Sequence, residues 1–127
     1  MSPAMDQAAR IELVCPAGNL PALRTAVDNG ADCVYIGLRD NTNARNFGGL
    51  NFELAAARDG LHYAHRKGAK VLLAINTYPQ PASWERWTRA VDAAAELGFD
   101  AIIVADPGLM RYAATVHPQL RLHLSVQ

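Results

Sequence analysis

Three junctions of this chain read alike, and their recurrence restricts the fold more than any other feature. AVDNGADCVYIG (26–37), AHRKGAKVLLAIN (64–76) and AAAELGFDAIIVAD (93–106) each pass from a helical pattern to Gly, one further residue, a polar residue and an apolar run. Glycine at a helix C-terminus takes the left-handed turn that sends the chain straight into the next strand. Repeated passage from helix to strand predicts βα units and a parallel sheet.

Five apolar runs fit that sheet: IELVC (11–15), DCVYIG (32–37), KVLLAIN (70–76), DAIIVAD (100–106) and RLHLSV (121–126). Their Val, Ile and Leu content with little alternation predicts strands buried on both faces. Helical stripes lie between them. Leu20, Leu23 and Val27 follow an Asn19 cap; Leu54, Ala57, Leu61 and Ala64 follow Asn51; Trp84, Trp87, Val91 and Ala94 follow Ser83. Asp106-Pro107 predicts the cap and first turn of a fourth helix ending near His117-Pro118. The fold class is therefore α/β, five parallel strands alternating with four helices, as an open sheet or, as the finish on a strand favours, a partial TIM-barrel-like (β/α) sheet. A closed barrel of this type takes about 250 residues, and LHLSVQ finishes on a strand. Residues 1–127 are thus expected to form a single incomplete barrel domain, the amino-terminal part of a longer one.

With an apolar fraction of 50%, the chain has enough hydrophobic surface for a packed core. Twelve basic residues balance twelve acidic ones, so net charge predicts neither nucleic-acid binding nor attraction to an anionic membrane, and only local patches remain open to such roles. MSPAMDQAAR has no apolar signal core and no later stretch is long enough to span a bilayer, which predicts a cytoplasmic location. Cys15 and Cys33 lack CxxC spacing and fall in apolar runs, as buried free thiols do.

In parallel α/β folds ligands gather at the carboxyl ends of the strands. Those ends are Cys15-Pro16-Ala17-Gly18, the loop 37–51, Asn76-Thr77-Tyr78, Asp106 and Ser125-Val126-Gln127. The loop GLRDNTNARNFGGLN far exceeds the about two to six residues usual for such connections. Its Asn41, Asn43, Asn46 and Asn51 and its Arg39 and Arg45 read either as a lid for a small anion or as a set of turn formers. Asn76 reads as a substrate-orienting amide and Asp106 as a helix cap. His62 and His65 stand three apart without a third ligand, whereas alternation puts His123, Ser125 and Gln127 on one face, the lumen of a barrel. The chain carries no nucleophile elbow, Walker loop, dinucleotide fingerprint or zinc-protease motif.

ELVCPAGNLPALRTAVDNGADCVYIGLRDNTNARNFGGLNF, AINTYP and LHLSVQ resemble the amino-terminal part of the bacterial collagenase-like peptidase family, over Glu12 to Gln127. GADCVYIGL and LHLSVQ resemble the family at large, and DNTNARNFGGLNF resembles its ubiquinone-synthesis branch in particular. The resemblance implies a barrel-like catalytic domain whose full-length relatives hold a [4Fe-4S] cluster on four cysteines. It implies, for this branch, a heterodimer with a UbiV-like partner and ring hydroxylation of a ubiquinone precursor without dioxygen, with prephenate as oxygen donor. Other relatives hydroxylate RNA bases. The family's cluster cysteines lie further downstream, and Cys15 and Cys33 match none of them. By the same analogy Asn43, Arg45 and Asn46 meet a prephenate carboxylate while Asn76, His123 and Gln127 line the remaining wall. The alternatives are a non-catalytic α/β module, whose open sheet edge predicts self-association, and a stand-alone peptidase.

Overall fold

A computed structural model of the chain describes residues 10–44 and 51–126. The elements run β1 (Val14–Pro16), α1 (Leu20–Asp28), β2 (Cys33–Ile36), α2 (Leu54–Arg66), β3 (Lys70–Ile75), a 3₁₀ turn (Pro81–Ser83), α3 (Trp84–Leu97), β4 (Ala101–Val104), α4 (Pro107–Val116) and β5 (Arg121–Leu124). All strand pairs are parallel and the spatial order is β1-β2-β3-β4-β5. Each crossover therefore steps in the same direction. Since such crossovers are right-handed, an unreversed order collects the helices on one face of the sheet.

The packing agrees. Leu23, Leu61, Trp87 and Leu109, one from each helix, share a single core with Val34, Leu73 and Ile102 of the sheet. The opposite face carries only a small cluster of Cys33, Leu72 and Ala101, flanked by Tyr35 and Ile103. Register lines up Tyr35, Leu72 and Ala101 across that face and, one pleat further on, Ala74, Ile103 and His123. The expected burial on both faces holds for the middle of the sheet and fails at its margins. There β1 and β5 each have one strand neighbour among the described residues, and Val14 and Leu124 are 49% and 65% exposed. Ile11 and Leu13, expected in the first strand, precede it and are exposed.

The helix ends show which local signals governed. Asn19 and Asp106 cap α1 and α4 by accepting from Ala22 N (2.9 Å) and Leu109 N (2.8 Å). Gly98 ends α3 in the left-handed conformation, φ 89°. Asn51 is not the cap of α2: the helix starts after Glu53, and Asn51 itself is left-handed at φ 77°. Ser83 makes no side-chain cap, because it closes the 3₁₀ turn. Leu54, at the first turn, is exposed, whereas Ala57, Leu61 and Ala64 are buried as expected. A Cβ at Gly60 would lie 2.9 Å from Leu23 Cδ1, so glycine is what lets α2 approach α1 this closely.

The polar residue of the repeated junction also acquires a role. Asp32 accepts from Leu13 N at 2.8 Å and pairs with Arg10. Asp100 accepts from Val71 N at 2.7 Å and pairs with His65 Nε2 at 2.8 Å. Each carboxylate holds the amino end of the preceding strand, at the rim opposite to the ligand side, where polar residues of this fold serve stability.

Both cysteines are free thiols. Cys15 packs against the helix-side core, and Cys33 lies buried in the cluster on the open face. Burial, followed by the nearby Asp100 carboxylate, raises the Cys33 thiol above its ordinary value of 9.0. A raised pKa favours the protonated fold. This contribution to stability is therefore complete below the unfolded pKa and is lost as pH rises through the folded pKa. We expect iodoacetamide near neutral pH to modify Cys15 before Cys33, with Cys33 becoming reactive on adding denaturant, as read by mass spectrometry. Equal rates for the two in the folded protein would contradict the burial described here.

Candidate functional site

The carboxyl ends of the strands surround a cavity of about 450 Å³ on the open face of the sheet. Pro16, Ala17 and Gly18 supply one wall from the end of β1, while Tyr35, Ala74 and Ile103 supply the floor from the three central strands. Asn43, Asn51, Asn76 and Ser125 form the polar part of the lining.

Interactions from the ends of β2 and β3 build the loop side of this cavity. Leu38 bridges Phe52 in parallel, with Phe52 N donating to Gly37 O at 3.0 Å and Arg39 N to Phe52 O at 3.0 Å, so both ends of the long loop leave the sheet together. Asn51 N donates to Gly18 O at 2.6 Å, which ties the loop across to β1. Asn43 Nδ2 donates to Asn51 Oδ1 at 3.0 Å. On the other side, Ala44 N donates to Asn76 Oδ1 (2.9 Å) and Thr77 Oγ1 donates to Asn41 O (2.6 Å). The Thr77 hydroxyl in turn accepts from Trp87 Nε1 at 3.0 Å. The adjacent dipeptide Asn76-Thr77 thus grips residues 41–44 at two points. Thr42, Asn43 and Asn51 are the buried polar residues this arrangement creates.

The predicted site residues meet this geometry unequally. Asn43 and Asn76 both line the cavity. Asn76 spends its Oδ1 on the loop backbone, so its amide NH₂ is what it can offer a ligand. His123 shares a face and a register row with Ile103, but it stands exposed on the edge strand and outside the cavity lining. Its neighbour Ser125 does reach the lining. Arg45, Asn46 and Gln127 lie outside the described residues. Asp106 is a cap, as its sequence context indicated. His65 is tied to Asp100 at the far rim, and His62 is exposed.

Sequence reasoning missed the Thr77–Asn41 and Trp87–Thr77 contacts and the Tyr35–Ala74–Ile103 floor. The floor was available from the two-residue period of strand side chains applied to DCVYIG, KVLLAIN and DAIIVAD. The contacts were not, because they join residues 36 and 10 positions apart through the tertiary fold.

Asp, Glu, Lys, Arg and His are all missing from the described lining. Neutral amides around an apolar floor suit a flat ring with hydrogen-bonding edges, held in place without titrating any group. The described residues do not fit the iron–sulfur cluster that the family resemblance implies. Cys15 and Cys33 belong to opposite faces of the sheet, and no group of three His, Cys, Asp or Glu among the described residues could hold a metal.

Two substitutions test the build of the site. A Cβ at Gly37 would fall 2.0 Å from Asn43 Nδ2. Gly37→Ala is therefore expected to displace Asn43 and to destabilise the fold by about 1–3 kcal/mol, measured by denaturant unfolding; an unchanged midpoint would contradict the close approach. Asn76→Leu should expose the Ala44 amide to rapid hydrogen exchange while Asn76→Asp, which keeps an acceptor, should protect it. Similar exchange in the two variants would remove Asn76 from the clamp.

The chain matches peptidase family U32 over residues 18–127. It is 38% identical over 118 residues to the tRNA hydroxylation protein P of Helicobacter pylori, covering 93% of this chain and 28% of that protein. It is 33% identical over 121 residues to the 23S rRNA 5-hydroxycytidine C2501 synthase of Escherichia coli, covering 93% of this chain and 17% of that enzyme. The solved structure of the U32 peptidase Mk0906 superposes with a TM-score of 0.68 at 18% identity, covering 93% of this chain and 49% of that one, and so shares its fold. The chain thus spans less than a third of either named relative. A family match over residues 18–127, which hold β2 to β5 and all four helices, shows that the chain belongs to peptidase family U32.

Proposed function

We propose that this chain supplies the ring-binding wall of an oxygen-independent hydroxylation protein, a UbiU-like component of ubiquinone biosynthesis that works beside a UbiV-like partner. The observation that carries this reading is the uncharged, amide-edged cavity of about 450 Å³ at the carboxyl rim of the sheet. Its apolar floor accommodates an aromatic ring, and Asn43, Asn51 and Asn76 offer directional contacts to ring substituents. The resemblance of DNTNARNFGGLNF to the ubiquinone branch supports that branch, and the part of the segment within the described residues builds one wall of the cavity. The hydroxylation proteins among the relatives support the reaction class.

In this reading the chain's own residues bind, orient and exclude water. The cluster chemistry belongs to cysteines outside this stretch. Prephenate, the proposed oxygen donor, carries carboxylates that the described lining does not neutralise, and by analogy with the family Arg45, with Asn43 and Asn46, is proposed to meet one of them. The test is complementation, with the full-length protein, of cells lacking it. Asn43→Leu is expected to lower ubiquinone at least about tenfold under anaerobic growth, the loss of one or two buried contacts, and to leave aerobic ubiquinone unchanged. Anaerobic ubiquinone at the wild-type level would overturn the reading.

The names of the relatives favour a second reading, in which the ring is an RNA base. Nucleoside mass spectrometry on the same cells separates the two: loss of a hydroxylated nucleoside with intact ubiquinone supports RNA as substrate. Gelatin hydrolysis by the purified full-length protein alone would instead support a peptidase.

A further inference from the structure

A second cleft, of about 350 Å³, opens on the outer side of the same loop, between its two ends and helix α3. Its apolar wall is Leu38, Phe52, Ala90 and Ala93, and three arginines, Arg39, Arg86 and Arg89, stand around it together with the carboxylates of Asp40 and Glu53. Arg86 and Arg89 are one helical turn apart on α3 and also border the adjoining cleft of about 380 Å³ beside Ser83 and Trp84. The two clefts therefore share a basic ridge.

Two carboxylates, Asp40 and Glu53, line the same cleft, so the three arginines leave it an excess of one positive charge, carried by Arg86 and Arg89, which pair with no carboxylate among the described residues. Arg39 forms an ion pair with Glu53 at 3.4 Å, in which both side chains are well exposed, so screening leaves it weak. Arg86 donates to Asn41 Oδ1 at 2.9 Å, a neutral acceptor, and no carboxylate pairs with it among the described residues. Arg89 makes no hydrogen bond or ion pair among the described residues. Of the acidic neighbours, Asp40 keeps its negative charge while accepting from the Thr42 amide and hydroxyl, Glu53 is paired with Arg39, and Glu85 borders the adjoining cleft one turn back along α3.

From this we infer an anion site for a phosphoryl group, a phosphate mono- or diester, seated between Arg86 and Arg89 with its apolar portion against Leu38, Ala90 and Ala93. The chemistry selects phosphate over carboxylate. One guanidinium fork satisfies both oxygens of a carboxylate, whereas the two forks of Arg86 and Arg89 on a single cleft match an anion with more oxygens to share. The balanced net charge of the chain does not oppose this, because the ridge is a local feature. The site stands outside the ring-binding cavity and does not rest on the function proposed for it.

The experiment is an NMR titration of the full chain with inorganic phosphate in one arm and a single-stranded oligouridylate in the other. In at least one arm, saturable shifts are expected at residues 38–41 and 86–93. Arg89→Gln, which breaks no contact of the fold, should weaken that binding about tenfold, the loss of one charge-assisted hydrogen bond. Saturation by phosphate alone identifies a small phosphorylated ligand. Tighter binding of the oligonucleotide, with a salt dependence that Arg89→Gln reduces by about one charge, identifies a polynucleotide backbone. No saturable shift in either arm, or shifts unchanged by Arg89→Gln, would overturn the site and leave the cavity's proposed role standing.

Discussion

One-directional stepping of the strands is the constraint on which the rest of the molecule depends. Because β1 to β5 follow in spatial order, the helices share one face and the other is left with Cys33, Leu72, Ala101, Tyr35 and Ile103. A doubly wound sheet would have reversed order at a switch point and placed its crevice there. Here the cavity lies instead on the helix-free side of the sheet, at its carboxyl rim, where the loops complete its walls. That requirement explains the length of the β2–α2 connection: a short turn would leave the floor of Tyr35, Ala74 and Ile103 open.

Magnitudes show what holds the loop. Ordering residues 41–44 costs about 1–2 kcal/mol per residue in backbone entropy, whereas each hydrogen bond returns about 1 kcal/mol net. The bonds from Asn76 and Thr77 therefore do not order the loop by themselves. Burial of Thr42 and Asn43 must contribute, and once these are buried the bonds decide which conformation survives. Any alternative would leave a buried amide or hydroxyl unmet, at about 1–3 kcal/mol each. Trp87 adds direction: by donating to the Thr77 hydroxyl it leaves that group's own proton for Asn41.

The central fold was legible because local chemistry and tertiary packing agree there. The Gly-x-polar junctions, the Asn19 and Asp106 caps and the apolar runs of β2, β3 and β4 all ask for what the sheet supplies. Legibility failed where a tertiary contact outranked a local signal. Asn51 stood where a helix cap was expected, yet its left-handed backbone and its bond to Asn43 bind it to the cavity. Ile11 and Leu13 are apolar enough for a strand, but the pairing of β1 with β2 begins only at Val14. Asp32 and Asp100 could be recognised as recurrent polar positions, while their acceptance of amides from preceding strands required the sheet to be in register.

The density of asparagine in the loop follows from the same physics. An amide donates and accepts without charge, so it can be buried beside an apolar floor at the cost of satisfying its hydrogen bonds alone. A carboxylate or ammonium at position 43 or 51 would have to be neutralised or paired in a lining that offers no counter-charge among its described residues. Asparagine also tolerates the left-handed backbone that position 51 adopts. The arginines of the same region, Arg39, Arg86 and Arg89, are excluded from the cavity by that logic and gather on the outer side of the loop, where their charge stays hydrated. One connection thereby separates two chemistries, an uncharged lining inside and a cleft of charged side chains outside, with Asn41 touching both sides through Thr77 and Arg86.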